Sequence, residues 1–141
     1  MTTQDPITEL AADTCWEKLG TQTLGRIVTN AAGIIDIFPI NYVVDGESVV
    51  FRTAEGNKLV ELTLSDEVLF EVDSYTDTDA WSVIVRGSAK QLDTEAEINA
   101  AEELDLAPFA PTVKRNFVRI TANQITGRAF PRGEEPPQSV V

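Results

Sequence analysis

The chain has 141 residues, 43% of them hydrophobic, with 11 Lys and Arg against 23 Asp and Glu for a formal charge of -12. This suits a single globular domain over residues 1–141, and the acidity argues against nucleic acid or an anionic membrane surface as partner. There is no histidine and one cysteine, which excludes Ser-His-Asp and Cys-His nucleophiles, His-ligated zinc or haem, and an intrachain disulfide.

Residues 1–6 read as a loose terminus. Ile7, Leu10, Ala11, Cys15 and Leu19 then recur at helical spacing up to Gly20, with Glu9, Asp13 and Glu17 on the polar face. Cys15 reads as a small buried apolar residue, because no histidine is present to activate it. With no apolar run near the ~20 residues of a membrane span and no basic leader in residues 1–12, the cytosol is the expected compartment.

Leu24–Thr29 alternates as a strand, and Asn30–Gly33 is a turn signal into a second strand, Ile34–Val44. Pro39 inside it cannot donate a ladder hydrogen bond and marks an edge, a bulge or a change of pairing. Ile37–Val44 and Ser48–Thr53 flank Asp45-Gly46, which predicts a β-hairpin. A short helix is expected over Lys58–Leu64. Strands follow over Glu67–Asp73 and Trp81–Leu92, joined by an exposed Ser74–Asp79 loop, with a bulge at Gly87. Thr94–Leu104 reads as a helix with a capping box through Glu97. Phe117–Ile125 is the last expected strand, and Gly127–Val141, rich in Pro and Gly, is expected to be irregular, with 131–141 loose.

The hairpin carries the chemistry. Its second strand delivers Arg52 and Thr53 to a short loop that opens the helix beginning at Lys58, so cation, hydroxyl and helix N-terminus converge on a candidate phosphate site. The plainer alternatives are surface pairing of Arg52 or Lys58 with Glu55 or Glu61, and structural pairing of Arg86 with Glu71 or Asp73. Trp81 and Phe109 suit core or interface packing better than stacking on a ligand ring.

About six strands with short connections and two or three helices predict a mainly β fold, a six-stranded antiparallel split β-barrel with flanking helices. The motifs CWEKL, LGRI, PINYVVDGESVVFRTAEGNKL, FEVD, WSVIVRG and ITGR stand in one order across residues 10–130. As a set they resemble the pyridoxamine 5′-phosphate oxidase-like split-barrel family, in its actinobacterial-type branch. The resemblance implies a homodimer binding FMN, or a related deazaflavin, in grooves between subunits. It places Asn41, Tyr42 and Val43 beside the flavin ring, and Phe51, Arg52, Thr53, Asn57 and Lys58 around the ribityl chain and phosphate. Trp81 and Ser82 match residues that approach the flavin; Arg86 and Arg128 are further candidates.

The chain departs from the oxidase proper. It lacks the C-terminal tryptophan- and histidine-bearing substrate motif and ends in Ile125-Thr126-Gly127-Arg128 and a proline-rich tail, which argues against pyridoxamine phosphate as substrate. The expected function is an FMN-dependent oxidoreductase of a small substrate, since a flavin carries the redox chemistry itself. The alternatives are a flavin carrier or sensor without turnover, and a deazaflavin-dependent reductase, for which Lys114, Arg115 and Arg119 offer a cationic patch.

Overall fold

The computed structural model describes residues 7–53, 67–104 and 116–133. In chain order these form β1 (Thr8–Glu9), α1 (Ala12–Leu19), β2 (Leu24–Ala31), β3 (Ile34–Val44), β4 (Ser48–Thr53), β5 (Val68–Tyr75), β6 (Asp79–Gln91), α2 (Glu95–Glu102) and β7 (Asn116–Pro131). The expected Lys58–Leu64 helix, Asn57, Phe109, Lys114 and Arg115 lie outside the described residues.

All pairings are antiparallel, in the order β1-β7-β4-β3-β2-β5-β6, and β6 also pairs with β7. That last ladder closes β2 to β7 into the expected six-stranded barrel, with two-residue β1 as an addition on β7. The barrel is split because β3 changes partner. Ile34–Asn41 pairs with β2, whereas Tyr42–Val44 pairs with β4. Pro39, opposite Arg26, sits just before this switch, in line with the change of pairing expected of it.

The hairpin turns on either side of β3 are set by residues with positive φ. Ala32 (φ 53) and Gly33 (φ 83) make a primed turn between β2 and β3. In the second hairpin Asp45 and Ser48 bond each other at 2.9 and 3.2 Å, so the turn is centred on Gly46-Glu47, one residue past the expected Asp45-Gly46. Gly46 (φ 62) takes its first position, where a side chain would be strained.

The barrel interior holds Ile27, Ile40, Tyr42, Val49, Phe51, Phe70, Val72, Val83, Val85, Val118 and Ile120, closed at one end by Cys15 and Leu19 of α1. Tyr42 packs edge-on to Phe70, with centroids 4.9 Å apart. Its hydroxyl donates to the Leu19 carbonyl at 2.5 Å, which ties α1 to β3. Burial pushes both the Tyr42 hydroxyl and the Cys15 thiol to higher pKa, and Asp13 adds to the Cys15 effect. Cys15 is thus the inert packing residue expected. A smaller cluster of Val50, Leu92, Ala101 and Phe117 lies where α2 covers the outer side of β4 and β7. Thr94 caps α2 in a capping box with Glu97.

Three further expectations need correction. The N-terminal helix begins only at Ala12, because Thr8 and Glu9 bond as a strand to Ala129 and Arg128, consuming the stretch that helical spacing had claimed. The last strand runs to Pro131 rather than Ile125, since Gly127, Arg128 and Ala129 continue the ladder on β6. Among the described residues of α2, the helix stops at Glu102, two residues short of Leu104. The bulge falls between Arg86 and Gly87 as expected, and a Cβ on Gly87 would sit 2.1 Å from the Thr121 carbonyl oxygen. Among the described residues no helix is long and apolar enough to cross a membrane.

Candidate functional site

Alternation decides which predicted site residues face outward. Tyr42, Phe51 and Thr53 point into the barrel and are 3%, 0% and 3% exposed, so any contact they make with a ligand is through backbone. Trp81 also turns toward the core cluster, half-buried, with the Lys18 ammonium 5.9 Å from its ring centroid. Val43 packs against the α2 cluster. Asn41, Arg52, Ser82, Arg86 and Arg128 lie on the outer face.

Register gathers four of these five into one belt. Arg52 pairs with Phe117 on β7, and lies one residue past the last β3–β4 pair, Tyr42 with Phe51, which sets it next to Asn41. Asn41 is opposite Leu24 on β2. Across the next ladder Asp73 is opposite Ser82, Ser82 opposite Arg128, and Arg128 opposite Glu9. Residues 11 to 87 positions apart in sequence thereby share one outer row.

Arg26, which sequence reading passed over, joins the two halves of this belt. Its guanidinium donates to Glu71 at 2.9 Å and to Asp73 at 3.1 Å. Those are the carboxylates expected to pair with Arg86, which instead bonds Glu67 at 3.2 Å. The reason is register: Arg26 is directly opposite Glu71, whereas Arg86 is opposite Leu69. The signal was available, because the LGRI and FEVD motifs both alternate their charged residues with apolar ones. Glu71 is raised from its ordinary 4.5 to about 7, first by burial, then by hydrogen bonding and charge from Asp73, with Arg26 acting in the opposite direction.

Arg52 and Arg128 stand apart electrostatically. Arg26, Arg86, Lys90 and Arg119 are each paired with a carboxylate, and Arg132 and Lys18 lie over aromatic rings. Arg52 and Arg128 have no such partner among the described residues, and the buried Arg52 Nε has no hydrogen-bond acceptor there. A shielded guanidinium N–H without an acceptor is costly. Arg119, expected to add to a cationic patch, is held by Asp45 at 2.9 Å and Ser48 at 2.6 Å. On the same outer face, a cleft of about 420 Å³ lies between Ile35 of the β2–β3 ribbon and Leu69, Glu67 and Arg86.

A family model described as pyridoxamine 5′-phosphate oxidase matches residues 11–129. The chain belongs to the pyridoxamine 5′-phosphate oxidase family. It is similar to a crystal structure from Corynebacterium glutamicum provisionally named a pyridoxamine 5′-phosphate oxidase, at 44% identity and TM-score 0.87, covering 95% of this chain and 100% of that one. It is also similar to the structure of the FAD binding protein from Mycobacterium smegmatis, at 44% identity and TM-score 0.79, covering 88% of this chain and 98% of that one. An uncharacterised protein of Mycobacterium tuberculosis is 44% identical over 96 residues, which are 68% of this chain and 87% of that protein.

Proposed function

We propose that this protein is a cytoplasmic, flavin-dependent oxidoreductase acting on a small substrate, with the flavin lying along the outer belt and its phosphate at Arg52. The observation that carries the reading is that Arg52 has no carboxylate partner among the described residues, in a chain of charge -12 whose other described cations, Arg128 excepted, are engaged. The 44% identical relative from Mycobacterium smegmatis, an FAD binding protein, supports a flavin as the ligand. FMN is the smallest flavin that offers Arg52 a phosphate; a deazaflavin coenzyme is the alternative. A bound flavin supplies the electron transfer, and the chain's own residues bind and orient it. In this reading Asn41 and Ser82 offer hydrogen bonds along the belt, Arg128 contributes charge, and the Arg26–Glu71–Asp73 cluster holds a proton at Glu71 near neutral pH.

The working unit we propose is a homodimer. Ile34, Ile35 and Ile37 on the β2–β3 ribbon are 64%, 67% and 61% exposed, an apolar surface that a second copy would cover. Light scattering at micromolar concentration tests this, and a monomeric mass with and without flavin rules it out.

Titration of the apo-protein with FMN, riboflavin and a deazaflavin coenzyme tests the cofactor. A charge-assisted phosphate contact is worth about 1.5–3 kcal/mol, so Arg52→Ala should weaken FMN by roughly one to two decades and leave riboflavin nearly unchanged. Equal loss for both would make Arg52 structural. Reduction of the bound flavin by NADH or NADPH, followed by reoxidation with an acceptor, separates an oxidoreductase from a carrier or sensor.

A further inference from the structure

The outer side of β3, β2, β5 and β6 is a single grid in register. Pro39, Arg26, Glu71 and Ile84 form one row across the four strands, and Ile37, Val28, Leu69 and Arg86 form the next. Asp73 lies on the belt side of the first row, and Ile35 and Glu67 lie beyond the second. Leu24, Ile35, Ile37 and Ile84 are all exposed on this grid, at 46%, 67%, 61% and 38%. The cleft of about 420 Å³ opens on it as well. So much outward-facing apolar surface on one side of a sheet marks a place where a partner docks.

Charge identifies the partner as a second copy. Two chains of charge -12 repel each other, so they meet most easily where charge is nearly balanced. The grid carries two guanidiniums, Arg26 and Arg86, against three carboxylates, Glu67, Glu71 and Asp73. Arg86 and Glu67 neutralise each other at 3.2 Å. Arg26 meets both Glu71 at 2.9 Å and Asp73 at 3.1 Å, which leaves one carboxylate in excess. The flanking strands bring no further charge to Glu71 among the described residues: β3 presents Pro39 and Asn41, and β6 presents Ile84 and Ser82, beyond which Arg128 and Glu9 face each other. Covering the grid takes this cluster out of water, where an uncompensated charge is expensive. One proton makes the cluster neutral.

We propose that two copies meet on this grid and that each carries a proton on its Arg26–Glu71–Asp73 cluster when they do, which makes the dimer an alkali-sensitive assembly. This rests on the homodimer reading and adds to it the face and the proton. Glu71 takes the proton, being the less exposed of the two carboxylates, at 25% against 46% for Asp73. Its pKa is already raised from 4.5 to about 7, first by burial, then by Asp73, with Arg26 opposing. Further burial under a second copy moves it in the same direction. Below about pH 7 the free chain already holds the proton, so association is indifferent to pH. Above it the proton must be taken up, and the dissociation constant rises with pH by up to about tenfold per unit for each proton. With no histidine in the chain, few other groups titrate in this range.

The test is sedimentation of the fluorophore-labelled full chain over a dilution series, at fixed ionic strength, in the wild type and in Glu71→Gln. The wild-type dissociation constant should stay level up to about pH 7 and rise about tenfold or more by about pH 8.5. That of Glu71→Gln, neutral at every pH, should change by less than about threefold. A wild-type dimer whose dissociation constant does not rise overturns the proposal and leaves the homodimer standing. An equal rise in the variant overturns it too, because the proton then sits elsewhere. A chain that is monomeric at every pH sinks the homodimer reading itself, and the proposal with it. Ile84→Ser locates the contact: it should weaken the dimer by about tenfold at both ends of the pH range, and an unchanged dimer overturns the assignment of this face. Should Glu71→Gln fail to fold, Asp73→Asn removes the excess carboxylate instead and should flatten the same rise.

Discussion

Two short segments of nearly equal apolarity have opposite fates in this molecule. In β4, SVVFRT, every residue but Arg52 is buried, whereas in the first half of β3, IIDIFP, every residue but Phe38 is exposed. Strand β4 has neighbours on both edges, the barrel core beneath it and α2 above it. The β3 segment has β2 on one edge and nothing on the other among the described residues. Burial here follows the number of elements that reach a strand rather than its hydrophobicity, which leaves Ile34, Ile35 and Ile37 exposed.

The comparison can be broken most forcefully in β4. Phe51→Ala should cost about 3–5 kcal/mol, because the cavity it leaves is enclosed by β3, β7 and the core and cannot collapse. Chemical denaturation would reveal it as a lowered midpoint at unchanged slope. Gly87→Ala follows, since the added methyl meets the Thr121 carbonyl oxygen at 2.1 Å and must push the β6–β7 bulge apart. A loss of about 1–3 kcal/mol is expected, and a variant as stable as the wild type would show that the bulge adapts freely.

Tyr42→Phe is a finer probe of the buried side. It leaves the Leu19 carbonyl without the donor now 2.5 Å away, for an expected loss of about 1–2 kcal/mol that should appear also as faster amide exchange in α1.

A pH series tests the partly exposed side. The folded chain holds a proton on Glu71 up to about pH 7, against an ordinary value of 4.5. Its contribution to stability is therefore complete below about 4.5 and is lost as pH rises through about 7. Glu71→Gln removes that dependence, so the difference in melting temperature, variant minus wild type, should grow more favourable from pH 4.5 to 7.5. A difference that stays flat across this range would mean that the carboxylate is ionised throughout.

The smallest effect on stability belongs to the ribbon. Ile35→Ser and Ile37→Ser should change the unfolding free energy by less than about 0.5 kcal/mol in the isolated chain. If the ribbon is the proposed dimer contact, the same substitutions should lower the mass measured by light scattering. A large stability loss without any change in mass would instead place these side chains in the fold of a single copy.

Much of this architecture was legible in the residues. The β2–β3–β4 meander, the Arg86/Gly87 bulge and the Thr94 capping box each rest on local chemistry: left-handed turn positions, a missing side chain at a close approach, and a hydroxyl that satisfies a helix start. Less legible were β1 and the far half of β7. Thr8–Glu9 is too short to show a period, and Gly127 and Pro131 made a continuing strand look like a tail, although Ile125, Gly127 and Ala129 alternate with Thr126, Arg128 and Phe130. The site was legible as residue types but not as pairs. Arg52 and Arg128 were candidates from the motifs, whereas Arg26 taking Glu71 and Asp73 away from Arg86 depends on register between three strands.

By itself the sequence determined which segments of the β2–β6 region are strands, which faces alternate, and which chemistries lack their residues, because these depend on neighbours within a few positions of the chain. The tertiary structure alone decided that β3 changes partner between Asn41 and Tyr42, that Tyr42 faces the core while Asn41 faces the belt, and that Arg52, Asn41, Ser82 and Arg128 share a row. Each of those outcomes is set by closure of the barrel through the β6–β7 ladder, which fixes the register of strands far apart in sequence all at once.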